Sequence, residues 1–94
     1  MVSGSSEVAG DVVLPADLHA RPAGQVTRAV ASLDAAVHLS TTGRPEVDAR
    51  SVLAVMGLGA VAGETVRVRA SGRDAAAAVT AVTAVLAAAE AVAG

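Results

Sequence analysis

The chain has no phenylalanine, tyrosine, tryptophan or cysteine among its 94 residues. Its core must therefore be built from small aliphatic side chains, which fill an interior only where helices and strands approach one another closely. The same absence excludes disulfides, thiolate metal sites and the aromatic platforms on which single-stranded nucleic acids stack. A chain of this length forms one domain, and we expect it to span residues 7–94 after a flexible tail at residues 1–6.

The charged residues are few and nearly balanced. Seven arginines, with no lysine, oppose nine acidic side chains for a net charge of −2, so no nucleic-acid partner is predicted. No secretory signal is visible at the N-terminus. The uncharged run at residues 75–89 would extend about 22 Å as a helix, short of the ~30 Å hydrocarbon core of a bilayer. We therefore expect a cytoplasmic protein without membrane insertion, as the lack of cysteine also suggests.

The spacing of apolar residues predicts seven elements in the order β-α-β-β-α-β-α. The strands are expected at residues 7–14, 36–40, 46–49 and 65–70, and the helices at 20–32, 52–56 and 73–92. Apolar residues three and four positions apart mark the core face of the first helix, namely Ala23, Val26, Val30 and Leu33. This order predicts an α+β open-faced β-sandwich, in which a four-stranded antiparallel sheet is covered by three helices.

His19 lies between the first strand and the first helix, and Pro22 follows in the first helical turn. The free N–H groups of that turn point back toward the imidazole, and the positive end of the helix dipole favours an anion attached to it. Arg21 adds a guanidinium whose fork of donors suits phosphate oxygens. Neutral imidazole is a nucleophile, and a phosphoryl group placed on it would be held by these amides and by the guanidinium.

Other interpretations of these residues remain open on the pattern alone. A histidine before a helix is often a plain N-cap or a packed ring. A metal site needs further ligands at suitable spacing, and His19 and His38 are the only histidines. No serine elbow motif accompanies His19, which argues against a hydrolase. His38 lies in an alternating strand and is expected to face solvent as an ordinary surface residue, and Ser51 can serve as the N-cap of the second helix.

The segment Leu18-His19-Ala20-Arg21-Pro22-Ala23 closely resembles the active-site signature of HPr, the histidine-containing phosphocarrier of the bacterial phosphoenolpyruvate:sugar phosphotransferase system (PTS). Residues 50–59 resemble the serine-site helix of that family, and residues 64–72 resemble the strand and turn before its last helix. The resemblance covers nearly the whole chain from Val8 onward.

The resemblance implies a phosphoryl carrier in sugar uptake that needs no cofactor or metal and has no independent turnover. His19 would accept a phosphoryl group on Nδ1 from phosphorylated Enzyme I and donate it to an Enzyme IIA domain. Arg21 would steady the phosphoryl group, and the Ala20 amide would face it. Ser51 matches the position that a dedicated kinase phosphorylates in many Gram-positive relatives.

The same resemblance implies a docking surface and a set of partners. The docking positions are Val52, Leu53, Met56, Ala23 and Arg28, and Arg50 joins Arg21 and Arg28 in a basic rim. Besides Enzyme I and Enzyme IIA domains, the partners would include a serine kinase/phosphorylase and a transcription regulator. The protein is expected to be a monomer.

One departure from the family pattern concerns the site itself. Asp17 stands where the family usually has glycine, and a carboxylate near the phosphoryl site is expected to slow acceptance. Two alternative functions stay open. One is an HPr-like regulatory module that acts through Ser51 and the adjacent helix, and the other is a specialised carrier for a nitrogen-related or dihydroxyacetone-kinase branch.

Overall fold

The computed structural model of the protein describes residues 7–89, so the predicted tail at residues 1–6 lies outside the described residues. Four strands and three helices follow one another in the predicted order. They are β1 (Glu7–Val13), α1 (Ala20–Val30), β2 (Ala36–Ser40), β3 (Val47–Asp48), α2 (Val52–Gly57), β4 (Thr65–Ser71) and α3 (Ala75–Ala87).

The strands form a single antiparallel sheet in the spatial order β1-β4-β2-β3. β4 lies in the centre and pairs with β1 from Glu7 opposite Ser71 to Val13 opposite Thr65. β1 and β2 both flank β4, so the chain must cross over between them, and α1 makes this crossover on one face of the sheet. The predicted fold is confirmed.

Alternation along the strands separates an apolar face from a polar one. Val66 and Val68 of β4 are fully buried beneath the helices, while Arg69 faces the other side of the sheet. There its guanidinium donates to the carboxylates of Glu46 and Glu7. The hydrogen bond from Arg69 lowers the pKa of Glu46 and correspondingly raises the pKa of Arg69. The open face is therefore held by charge pairs, while the covered face carries the core.

The core uses small side chains, and the helices accordingly pack close to the sheet. A Cβ atom added to Gly10 of β1 would lie 3.1 Å from Cγ1 of Val79 on α3, which is tighter than ordinary contact. On the same helix, Ala75 and Ala78 are buried. The absence of aromatic residues is thus matched by a close approach of α3 to β1, as the sequence predicted.

Four elements are shorter than predicted: β1 ends one residue early, at Val13, and α1, β3 and α3 are also shortened. α1 ends at Val30 because the N–H groups of Ala31 and Leu33 bond three residues back, which tightens the last turn. β3 is only Val47–Asp48 and lacks both Glu46 and Ala49, although the Ala49 N–H still donates to the Val37 carbonyl at 2.9 Å.

α3 differs from its prediction at both ends. Gly72 adopts φ +118°, and the turn it makes delays the helix until Ala75, two residues later than expected. The helix ends at Ala87 rather than Val92, and residues 90–92 of the prediction lie outside the described residues. None of the helices within residues 7–89 has the length and hydropathy that a bilayer crossing requires.

Candidate functional site

His19 is the N-cap of α1, in the position that the sequence predicted. Its backbone is extended, with φ −83° and ψ −172°, and its carbonyl accepts the first helical hydrogen bond from the Ala23 N–H at 3.1 Å. The imidazole makes no capping hydrogen bond to the helix, and 59% of the side chain is exposed. The ring therefore lies on the surface, outside the core, where another protein can reach it.

The first turn of α1 keeps backbone donors available next to this ring. Within residues 7–89, neither the Ala20 N–H nor the Arg21 N–H donates to a backbone acceptor, and Pro22 has no N–H group. No acidic side chain lies in the first turn. Free amides and the positive end of the helix dipole together make this terminus favourable for an anion.

Two arginines of α1 add full positive charge to the same helix. Arg21 is exposed, and within the described part of the chain neither it nor Arg28 pairs with a carboxylate. The Arg28 guanidinium folds back along the helix, since its Nη1 lies 3.5 Å from where a Cβ on Gly24 would be. Both cations thus remain available to an anionic group or an acidic partner.

The loop that carries His19 is tied to the loop that follows α2. Leu18 is buried, and its N–H donates to the Ala60 carbonyl at 3.0 Å. Leu14 closes the other end of this loop, because its N–H donates to Glu64 and its carbonyl accepts from Gly63. These bonds fix the backbone on which the exposed imidazole stands.

Asp17 lies within this braced segment. Its Oδ1 accepts a hydrogen bond from the Ala62 N–H at 2.8 Å, and its Oδ2 lies 3.7 Å from Nε2 of His19. The backbone N–H of His19 also donates to the backbone carbonyl of Asp17 at 2.9 Å. The carboxylate therefore faces Nε2, whereas the predicted phosphoryl acceptor is Nδ1.

A second carboxylate stiffens the loop after α2. Glu64 accepts hydrogen bonds from the Val61 N–H at 2.8 Å and from the Arg44 guanidinium at 3.2 Å. The Val61 N–H and, to a smaller extent, Arg44 hold the pKa of Glu64 below its ordinary value of 4.5. These bonds therefore support the loop above that ordinary pKa and are lost as the pH falls through the lowered one.

Ser51 is the N-cap of α2, as predicted. Its Oγ accepts a hydrogen bond from the Ala54 N–H at 3.1 Å, and its carbonyl accepts from Val55 at 3.0 Å. The residue is exposed. The Thr27 hydroxyl of α1 donates to the Ala49 carbonyl at 3.0 Å, which ties α1 to the segment that leads into Ser51.

α2 exposes a row of apolar side chains while Val55 is buried beneath it. Leu53 is 80% exposed, and Val52 and Met56 are 36% and 39% exposed. Val61, which the sequence pattern did not single out, is also 47% exposed in the loop that braces Leu18 and Asp17. It lies in a glycine-containing loop with neither helical nor strand periodicity, so no pattern marks it.

Two residues assigned to the docking surface have roles in the fold. Ala23 is completely buried on the core face of α1, so the prediction that it contacts a partner is wrong; the helical stripe had already placed it in the core. The Arg50 guanidinium donates at 2.9 Å to the carbonyls of Leu33 and Ala35, and its hydrogen bonds anchor the segment before β2. Arg50 remains exposed, so its place in the basic rim stays a prediction.

The remaining histidine is separate from this site. His38 is half-buried on the polar side of β2, opposite Arg69 in the sheet register. Its neighbours Val37 and Leu39 are buried, as the alternation predicted. Within residues 7–89 no group of three or more His, Cys, Asp or Glu side chains is placed to hold a metal ion.

The antiparallel open-faced sandwich, with an exposed histidine capping its first helix, defines a class of small phosphocarrier proteins. The family model described as the PTS HPr component phosphorylation site matches residues 8–88. The chain therefore belongs to the HPr family of the phosphotransferase system, which confirms the resemblance seen in the sequence.

Solved structures of the family agree with this assignment. Phosphocarrier protein HPr from Bacillus anthracis str. Ames is 25% identical, with a TM-score of 0.74 over 89% of this chain and 99% of that one. HPr from Thermoanaerobacter tengcongensis is 26% identical, with a TM-score of 0.72 over 86% of this chain and 90% of that one. The histidine-containing phosphocarrier protein of a mycoplasma, 20% identical, shares the fold with a TM-score of 0.72 over 85% of this chain and 90% of that one.

Proposed function

We propose that this protein accepts a phosphoryl group on Nδ1 of His19 from phosphorylated Enzyme I and passes it to an Enzyme IIA domain during sugar uptake. The observation that carries this proposal is the exposed imidazole at the N-terminus of α1, beside amides that have no backbone acceptor within the described residues. Family membership supplies the class of reaction. A relay of this kind would operate in the cytoplasm.

The proposed phosphoryl transfer needs few catalytic groups from the protein. The Nδ1 lone pair forms a bond to phosphorus while the bond between phosphorus and the donor's nitrogen breaks, and that nitrogen keeps the electron pair. The amides of α1 and the Arg21 guanidinium would bind the phosphoryl oxygens as the group arrives. Because one phosphoramidate replaces another, the transfer is close to balanced, and the protein acts as a carrier without independent turnover.

Docking would use the apolar row on α2 with the cations of α1 at its edge. Leu53 is the most exposed of these apolar side chains, and the loop after α2 is bonded to the loop that carries His19. A small patch with an apolar centre and a charged rim suits partners that must bind and leave quickly. Enzyme I and Enzyme IIA domains would take turns on this one surface.

The direct test is incubation with phosphoenolpyruvate and Enzyme I, followed by intact mass measurement. We expect one phosphoryl group to be added, with the acid lability and base stability of a phosphohistidine. His19→Ala should abolish the addition, whereas His38→Ala, which removes the other histidine, should leave it unchanged. Labelling that persists in His19→Ala would refute the assignment.

Regulation at Ser51 is a second candidate function, which the exposure of this residue favours. Its Oγ is accessible at the start of α2, next to the apolar docking row. A phosphate there would add a charge of about −2 beside that row and would weaken the docking of an acidic partner. The serine kinase/phosphorylase and transcription regulator implied by the family resemblance would act at this residue.

A further inference from the structure

The Asp17 carboxylate is held in place by the loop after α2. Its Oδ1 accepts the Ala62 N–H at 2.8 Å, which leaves Oδ2 directed toward Nε2 of His19 at 3.7 Å. That distance exceeds a hydrogen bond, so the two groups interact through charge while both side chains are about half exposed. The carboxylate is thus held in a defined position near one ring nitrogen, Nε2.

An ionised carboxylate can only accept hydrogen bonds, whereas each nitrogen of a neutral imidazole either carries the proton or offers a lone pair. A carboxylate beside Nε2 therefore favours the tautomer in which Nε2 carries the proton. Nδ1, on the other side of the ring, then keeps the lone pair. The other charged side chain within two residues of His19 is Arg21, which as a cation has no acceptor to compete for that proton.

We propose that Asp17 is a positioning residue that selects the Nε2–H tautomer of His19 and so keeps Nδ1 free for the phosphoryl group. This proposal rests on the carrier function proposed above. As the Nδ1–phosphorus bond forms and the donor's nitrogen–phosphorus bond breaks, the ring gains positive charge. The proton stays on Nε2, where the carboxylate stabilises that charge, as the aspartate of a Ser-His-Asp triad does.

The arrangement reverses the expectation that Asp17 slows acceptance. Repulsion would dominate if the carboxylate faced Nδ1, where the phosphoryl group would be attached. It faces Nε2 instead, across the ring, and the bond from Ala62 restrains it there. The residue that replaces the usual glycine is therefore expected to assist the reaction.

Asp17→Asn tests the proposal because it keeps the hydrogen bond from Ala62 and reverses the interaction with Nε2 of His19. The asparagine oxygen can still accept the Ala62 N–H, while its NH₂ group would donate toward Nε2 and favour the proton on Nδ1. We expect imidazole ¹⁵N chemical shifts of the neutral ring to show mainly Nε2–H in the wild type and a shift toward Nδ1–H in Asp17→Asn. Phosphoryl acceptance should be about tenfold slower, far less than in a buried triad because this site is exposed.

Asp11→Asn is the matched control, since it neutralises an exposed carboxylate that pairs with Arg67 on the sheet rather than with His19. It should leave both the tautomer and the rate unchanged. Asp17→Gly, which restores the usual family residue, should give a tautomer ratio between those of the wild type and Asp17→Asn. An unchanged ratio in Asp17→Asn, or an equal shift in Asp11→Asn, would overturn the proposal.

The tautomer is measured on the free protein, so it does not depend on any partner. If the ratio shifts as expected but the wild type accepts no phosphoryl group from Enzyme I, tautomer selection is supported and the carrier function is refuted. If the wild type is phosphorylated but the ratio does not shift, the carrier function stands and the role of Asp17 is wrong.

Discussion

The N-termini of α1 and α2 differ in whether a side chain satisfies the free N–H groups of the first helical turn. At α2, the Ser51 hydroxyl accepts the Ala54 N–H and satisfies a donor of the first turn from within the chain. At α1, His19 occupies the same N-cap position but makes no side-chain capping bond. The N-terminus of α2 is thus closed by its own cap, while that of α1 has no side-chain cap and could bind the phosphoryl group of the proposed reaction.

The difference is possible because α1 has support that α2 lacks. α1 buries Pro22, Ala23, Val26 and Val30, and the loop before it is bonded to the loop after α2. α2 is six residues long and buries only Val55, so its cap contributes a larger share of its stability. A helix can leave its first turn open for function when packing elsewhere holds it.

Arg21→Glu should have the largest effect among tests of the open terminus. The change replaces a cation beside the amides with an anion that repels the phosphoryl group, and we expect acceptance from Enzyme I to fall about 100-fold. Rapid-quench measurements of the transfer rate would detect this. Arg73→Glu, at an exposed arginine before α3, is the control and should retain the wild-type rate. Equal rates for Arg21→Glu and wild type would remove Arg21 from the site.

Ser51→Asp tests whether the closed terminus affects docking. Aspartate is as good an N-cap as serine, so α2 should persist while a negative charge appears beside the docking row. We expect affinity for Enzyme I, measured by titration calorimetry, to fall about tenfold. Ser51→Asn preserves the cap without the charge and should bind as the wild type does. Matching losses in both variants would show that charge is not the cause.

The smallest expected effect is a difference in stability between variants of the two N-cap residues. Ser51→Ala removes a capping hydrogen bond and should reduce the free energy of unfolding by about 1 kcal/mol, or roughly 4–8 °C in Tm. His19→Ala removes no such bond and should change it by less than about 0.5 kcal/mol. Thermal melts monitored by circular dichroism would compare them. A larger loss in His19→Ala would mean that the imidazole supports the helix.

Periodicity was sufficient to predict the order of elements and the core face of α1, because the alternation of valine with arginine and the helical stripe are strong signals. Ser51 as a cap also followed from its local sequence. The ends of β3 and α3 did not, since they depend on the pairing with β2 and on the turn at Gly72. The resemblance placed Ala23 at the surface, yet its own spacing placed it in the core, and the core position is correct.

What the sequence could not predict about the site depends on contacts between distant segments. Asp17 meets Ala62, 45 residues further along the chain, only because the loop before α1 and the loop after α2 are brought together by the fold. Arg50 looked like a free charge because its carbonyl partners, at Leu33 and Ala35, lie in another part of the chain. Such pairings have no local pattern.

The hydrogen bond from Leu18 to Ala60 joins the residue before His19 to the segment just past α2. In the proposed docking mode, a partner bound to α2 would be positioned, through this backbone bond, relative to the segment that carries the imidazole. Recognition and phosphoryl transfer would then use one rigid frame, so a partner aligned with the helix would be aligned with the ring as well.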